Sequence, residues 1–305
     1  MKFAPATVAL AFLFAGAVFA EERTAGQFRA DANLVLINAT VLDRHDRPVR
    51  GLLRDDFRIF EDKAEQHIAY FSEEETPLSL AVIFDVSGSM DSKMAGMRSA
   101  LDEVLKSANA SDEFSLITFA NRPEVAVGWS ANPEEIQNRL LQVTAHGETS
   151  LLDALAAGLT YLKKAKNARK ALLIFSDGGD NHSRSTERGF TRTLEESGVQ
   201  IFAVDSAEPL VLRTRSPEEI LGPGLLERLC DRAGGRYFRV ESKREVAAAA
   251  QQISRELRSQ YLIGYVPWNN STDGRFHHVR LQLNHRLGLP KVSVLWRRGY
   301  RASGD

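Results

Sequence analysis

The spacing of apolar residues changes twice along the chain. Between Asn33 and about Glu75 it alternates. There "NLVLINATVLD" (Asn33 to Asp43) predicts a strand, "DRHDRPVRG" carries turn residues, and "FRIFED" and "HIAYFS" on either side of "KAEQ" predict a hairpin. From Leu78 the pattern becomes continuous apolar runs separated by helical spacings. Leu80 to Asp85, Phe114 to Ala120, "KALLIFSD" and "VQIFAVD" read as strands buried on both faces, with "EVAVGW" as a shorter edge strand. Helices are predicted over Ser92 to Ser107, and over "NPEEIQNRLLQV", with Asn132 as cap and Pro133 in the first turn. Another covers "SLLDALAAGLTYLKKA", where Leu151, Leu152, Leu155 and Leu159 share a face. "RGFTRTLEESG" is a helix closed by Gly198, and "SPEEI" and "SKRE" mark two further helix starts. Beyond Glu256 alternation returns, in "QYLIGYVP", "RFHHVRLQL" and "KVSVLW".

Buried strands alternating with amphipathic helices predict a doubly wound, mostly parallel α/β sheet covered on both faces. This domain is expected over 77–259. The β segments on either side, 33–76 and 260–300, are each only about forty residues, and so short a β unit rarely buries a sufficient core. They are therefore expected to pair as one small β-sandwich-like domain, with the α/β domain inserted between its halves.

The first twenty residues follow neither pattern. Lys2 precedes an apolar stretch from Val8 to Phe19, and Val18-Phe19-Ala20 has the small residues of a cleavage site. Residues 1–20 read as a signal peptide cut after Ala20, with 21–32 as a flexible leader. A secreted or periplasmic protein is expected, with no transmembrane segment after cleavage. Lys and Arg total 39 against 40 Asp and Glu, a formal net charge of -1 that gives no support to nucleic-acid binding. Cys230 is the single cysteine, so no internal disulfide can form, and its place on the apolar side of a predicted helix makes it a buried thiol.

The chemistry gathers where strands end. In "IFDVSGSM" a buried strand runs into Asp85, Ser87 and Ser89. Oxygen side chains at alternate positions could cap a helix, bind phosphate, supply a nucleophile or hold a hard metal. "HGETSLLDAL" brings Thr149 to a helix start, and "IFSDGGDN" ends a strand in Asp177. Ligands of open α/β sheets collect at such carboxyl ends. Two carboxylates and three hydroxyls suit a divalent cation such as Mg²⁺, which prefers oxygen ligands, and no cluster of His or Cys in the sequence favours zinc. Two carboxylates balance the ion's charge, leaving it able to accept one more anionic oxygen from outside. Ser150-x-x-Asp153 reads as a cap pair for its own helix, which leaves Thr149 free. Ser87 lacks the flanking glycines of a nucleophile elbow, His146 and His182 are the nearest candidate bases, and no phosphate-binding P-loop is present.

Asp85, Ser87, Ser89, Thr149 and Asp177 together resemble the Asp-x-Ser-x-Ser, distant Thr and distant Asp of a von Willebrand factor A-type domain with a metal-ion-dependent adhesion site. The flanking "VLDRHDRPVRGLLRDDFRIFEDKAEQHIAYF", "SQYLIGYVP" and "RRGY" are similar to a secreted subgroup of such proteins common in Acidobacteria. The resemblance implies that the serines and the threonine touch the metal and that the aspartates bind it directly or through water. It further implies Mg²⁺ as the ion, with Mn²⁺ or Ca²⁺ as alternatives, and a non-enzymatic function. In that function a Glu or Asp of a partner protein completes the coordination, and Glu148, Gly178 and Asn181 are the expected partner contacts. Glu148 stands where the family has a second glycine, and its side chain is expected to point to solvent. A second reading is an envelope scaffold in which the metal is structural; a serine hydrolase is a third.

Overall fold

The computed structural model describes residues 34–73, 76–206, 217–268, 273–284 and 291–302. The expected signal peptide and leader lie outside these residues.

The N-terminal flank forms β1 (Val35–Leu42), β2 (Phe57–Glu61), β3 (Ala64–Gln66) and β4 (Ile68–Ser72). The central part runs β5 (Leu78–Asp85), α1 (Met94–Leu105), β6 (Glu113–Phe119), β7 (Pro123–Ser130), α2 (Pro133–Leu141), α3 (Leu151–Leu162) and β8 (Arg169–Phe175). It continues through α4 (Glu187–Ser197), β9 (Gln200–Ser206), α5 (Pro217–Ala233), β10 (Tyr237–Val240) and α6 (Lys243–Arg258). The C-terminal flank adds β11 (Tyr261–Tyr265), β12 (Phe276–Leu283), β13 (Ser293–Trp296) and β14 (Gly299–Arg301).

The central strands form a sheet in the order β10-β9-β8-β5-β6-β7, parallel except for the antiparallel edge strand β7. All eight residues of β5 are buried because both of its faces are covered. Leu80, Val82 and Phe84 join a core completed by α1, α2 and α6, whereas Ala81 and Ile83 join the core of α3, α4 and α5. This is why the sequence shows a continuous apolar run here rather than alternation. β5 pairs with β6 on one side and β8 on the other. The connections diverge at its carboxyl end, which makes that end the switch point of the sheet.

The flanks pair with each other. One sheet runs β13-β1-β11-β4 and the other β14-β12-β2-β3, so each contains strands from both chain ends. Val35, Ile37, Ala39 and Val41 of β1 alternate inward. They meet Tyr261, Ile263 and Tyr265 of β11, Phe57 and Ile59 of β2, and Val279 and Leu281 of β12 in one core. The predicted hairpin is corrected in its partner. β2 pairs with β3, inside the stretch read as its loop, through a turn in which Asp62 and Lys63 both have positive φ; β4 joins the other sheet beside β11. Left-handed conformation at two successive residues matches the twist of a two-residue hairpin, which leaves no room for the longer loop.

Among the described residues no helix is long and apolar enough to cross a membrane.

Candidate metal centre

Three loops meet at the carboxyl end of β5, and backbone bonds hold them together. In the first loop Gly88 donates its N–H to the carbonyl of Gly147 at 3.0 Å, and the N–H of His146 reaches the carbonyl of Val86 at 2.7 Å. In the third, the N–H groups of Asn181 and His182 both donate to the carbonyl of Thr149, at 3.0 and 2.9 Å. The loop carrying Thr149 is thus fixed from both sides. Gly147 is needed at this crossing: its φ is +80°, and a Cβ there would lie 2.3 Å from Oδ1 of Asn121, which accepts the N–H of Glu148 at 2.7 Å.

Asp85 is fully buried. Its Oδ1 accepts the Ser87 N–H at 2.9 Å and its Oδ2 accepts the Ser176 hydroxyl at 2.6 Å. Burial, and then the negative charge of Asp177, push its carboxyl up to about 7, against the pull of the bonds from Ser176 and Ser87. The hydroxyls of Ser87 and Ser89 are 3.3 Å apart. Thr149 and Asp177 are each buried, at 6% exposure. Burial also raises Asp177, but the charge and hydrogen bond of Lys93, a hydrogen bond from Ser89 and the Gly179 N–H outweigh it, so its carboxyl lies below the ordinary value. Lys93 Nζ sits 2.8 Å from Asp177 Oδ2, with only 11% of the lysine side chain exposed.

The five sequence-predicted site residues therefore stand on the three loops that meet here. The set consists of carboxylate and hydroxyl oxygens, and repulsion between its two acidic groups adds to burial, the larger cause, in raising Asp85. A hard divalent cation fits that donor chemistry and relieves that repulsion.

The expected partner contacts divide. Glu148 is exposed and directed to His182, whose Nδ1 is 2.5 Å from its Oε2, as expected of a solvent-facing side chain. Asn181 is exposed but uses Oδ1 to accept the Thr149 N–H at 2.9 Å. Gly178 is buried with φ +81°, and a Cβ there would lie 2.4 Å from the backbone of Gly222 in α5. Its role is close packing of this loop on a helix.

The predicted cap pair at Ser150 and Asp153 does not form. The Ser150 hydroxyl donates instead to the Ala120 carbonyl at 2.8 Å, and Asp153 accepts the N–H groups of Arg184 and Ser185. α3 is capped from the third loop: Asp180 Oδ1 accepts the Leu151 N–H at 3.2 Å and the Ser183 hydroxyl accepts that of Asp153, also at 3.2 Å. Ser150 lies fully buried beneath the strand ends, where its N–H also donates to the Ala120 carbonyl, at 2.9 Å. The histidines weighed as bases are engaged elsewhere, His182 with Glu148 and His146 Nδ1 with the Thr144 carbonyl at 3.0 Å.

Sequence reasoning missed Ser176, Lys93, Asp180 and Asp205. Asp205, at the end of β9, is buried, and its Oδ2 accepts the Tyr237 hydroxyl at 2.6 Å. It ends "VQIFAVD" just as Asp85 ends its own strand, a parallel visible in the sequence. A second missed group is in the sandwich: Glu61, Asp62 and His277 lie within reach of a single ion. This qualifies the reading that no histidine cluster exists, since the chain brings His277 to Asp62, 215 positions away, and to its neighbour Glu61.

The sheet order and the loops at its switch point define a doubly wound domain with a polar ligand edge. Residues 80–179 match the family model of the von Willebrand factor type A domain. A von Willebrand factor type A protein from Catenulispora acidiphila superposes with a TM-score of 0.51 at 12% identity, over 91% of this chain and 75% of that one. That similarity of fold extends well beyond the matched family segment. BatB from Bacteroides thetaiotaomicron (TM-score 0.48, 15% identity, 60% of this chain and 100% of that one) is also similar. So is the vWF domain of the type V pili tip protein Mfa5 from Porphyromonas gingivalis (0.45, 10% identity, 60% and 95%). No curated protein sequence matches the chain.

Proposed function

We propose that this chain is an exported, non-enzymatic binding protein that captures an acidic residue of a partner protein through a divalent cation, Mg²⁺ in the first instance. The observation that carries this reading is the fastening of three loops at the switch point of the sheet, with Asp85, Ser87, Ser89, Thr149 and Asp177 on them. Asp85 and Asp177 would supply charge, directly or through water, and the three hydroxyls neutral ligands. The cation would supply an open position for an external carboxylate. The chain's own residues hold the donors in place: Ser176 fixes Asp85, and Asn181 fixes Thr149. The apolar N-terminal stretch ending at Ala20 supports export.

Calorimetry on the full chain tests the metal. Mg²⁺ should bind at one site, and Ser87→Ala combined with Asp177→Ala should abolish that binding. Equal binding by the double variant would sink the assignment. The partner is tested by affinity capture from the exported fraction, with and without chelator; capture that chelator leaves unchanged counts against a metal-mediated contact.

A further inference from the structure

Lys93 holds an oxygen that the proposed metal needs. It lies in the turn leading into α1, where its N–H donates to the Met90 carbonyl at 2.9 Å and its carbonyl accepts the Met97 N–H at 3.1 Å. That anchoring directs the side chain inward, and Nζ rests on Asp177 Oδ2. An ammonium and a divalent cation on one carboxylate repel each other, and burial leaves little water to screen them. A cation bound directly by Asp177 Oδ2 would therefore displace Lys93, and a displaced ammonium in a buried place needs another anion.

Asp205 is placed to be that anion. β8 and β9 pair in parallel through Phe175 and Val204, and the Ser176 N–H donates to the Val204 carbonyl at 3.3 Å. Asp205 thus stands one residue past this rung, beside Ser176 and Asp177. It is 3% exposed, and the Tyr237 hydroxyl satisfies one oxygen. Among the described residues no lysine or arginine forms an ion pair with it. Its carboxyl is raised, by burial first, against the Tyr237 bond; the charge of Asp177 raises it further, while those of Lys93 and Arg239 lower it. The β8–β9 register sets it at the same sheet edge on which Lys93 meets Asp177. With a divalent cation in place, Asp85, Asp177 and Asp205 would be balanced by that cation and Lys93 together.

We propose that Lys93 and Asp205 form an internal cation exchange at this site: Lys93 occupies Asp177 until a divalent cation displaces it, and Asp205 receives the displaced ammonium. This rests on the metal reading above. It makes Lys93 a built-in competitor that sets the threshold for metal capture, and Asp205 the residue that lets metal and lysine coexist.

A double-mutant cycle on the full chain, with Mg²⁺ as probe and calorimetry as readout, tests the exchange. Lys93→Met should tighten Mg²⁺ binding several-fold. Asp205→Asn should weaken it about tenfold, because Lys93 then keeps Asp177. In the Lys93→Met background the same Asp205→Asn change should have almost no effect. An equal loss in both backgrounds, or no gain from Lys93→Met, overturns the exchange. A measurement on the unaltered chain covers the chance that Asp205→Asn fails to fold. The ¹⁵N resonance of Lys93 Nζ should shift on Mg²⁺ addition, and should stay fixed when Mg²⁺ is added to the Asp85→Ala variant. A Lys93 resonance unmoved by saturating Mg²⁺ also overturns it. The metal reading fails separately: if Ser87→Ala with Asp177→Ala binds Mg²⁺ like the unaltered chain, the site itself is misassigned. If that variant loses binding while Lys93→Met changes nothing, only the exchange is lost.

Discussion

Asp85 is held by neighbours whose importance lies in geometry more than in residue type. Both of its oxygens are bonded, and the Ser176 hydroxyl does two tasks, donating to Asp85 and accepting the Gly178 N–H at 3.0 Å. Ser176→Ala would remove a bond to a buried acid and leave the Gly178 N–H without its acceptor. Hydrogen bonds to charged groups contribute about 1.5–3 kcal/mol, and an orphaned donor costs on a similar scale. Chemical denaturation should register a loss of about 2 kcal/mol, accompanied by weaker Mg²⁺ binding although no proposed ligand has changed. A variant as stable as the parent would show that water replaces the hydroxyl. Ser176 was not legible as a site residue because a serine before Asp-Gly-Gly reads as turn chemistry. Lys93 was equally hidden, since a lysine at a helix start is ordinarily solvated. Only the approach of the third loop to the first turns both inward.

At the scale of elements, the long central strands were legible and the short peripheral ones were not. A strand covered on both faces must be apolar throughout, so β5, β6, β8 and β9 announce themselves. β3 consists of Ala64, Glu65 and Gln66, and its existence depends on the Asp62-Lys63 turn and on β2 beside it. The N-terminus of α3 carries the same lesson. Ser150 and Asp153 have a capping spacing, yet the helix takes its caps from Asp180 and Ser183, about thirty residues later. Tertiary contact overrode a local signal because the buried Ala120 carbonyl and the N–H groups of Arg184 and Ser185 claimed the two side chains first. Asp180 therefore couples the third loop to the helix that follows Thr149. Replacing a capping Asp by Ala costs about 1 kcal/mol. Asp180→Ala should show that loss in thermal unfolding, together with faster amide exchange at Leu151. Unchanged exchange there would mean that the cap is dispensable.

The whole molecule joins its two parts at α6, where an ion-pair relay runs from a buried acid to an exposed one on the N-terminal flank. At the end of α6, Arg258 pairs with the fully buried Asp112 at 2.6 Å, and Arg236 bridges Glu256 of α6 and Asp46 of the N-terminal flank, each at 2.8 Å. Inside the sandwich the closing group is His277, on β12. Its Nδ1 is 2.7 Å from Asp62 Oδ2 and 3.7 Å from Glu61 Oε1, its Nε2 is 3.2 Å from Asp273 Oδ1, and its ring stacks on Tyr300. Glu61 in turn accepts the hydroxyls of Tyr265 and Tyr300, so β2, β11, β12 and β14 meet at one cluster. Carboxylates facing both ring nitrogens require an imidazolium, because a neutral ring would turn a lone pair toward one of them. Burial lowers the affinity of His277 for its proton, but Asp62, Asp273 and Glu61 outweigh it, and the net shift is upward from 6.5. A group whose pKa is raised by folding stabilises the fold fully below its unfolded value, and that contribution is lost as pH rises through the folded value. Stability of the chain should therefore fall as pH climbs above about 6.5, with the sandwich strands losing amide protection first. Asp85, also raised, adds a fall of its own between its unfolded value of 3.8 and about 7. His277→Gln separates the two, since it removes only the alkaline part. Melting temperatures of the parent and His277→Gln chains should converge as pH rises above 6.5; curves that stay parallel there would show that His277 carries no proton-linked stability.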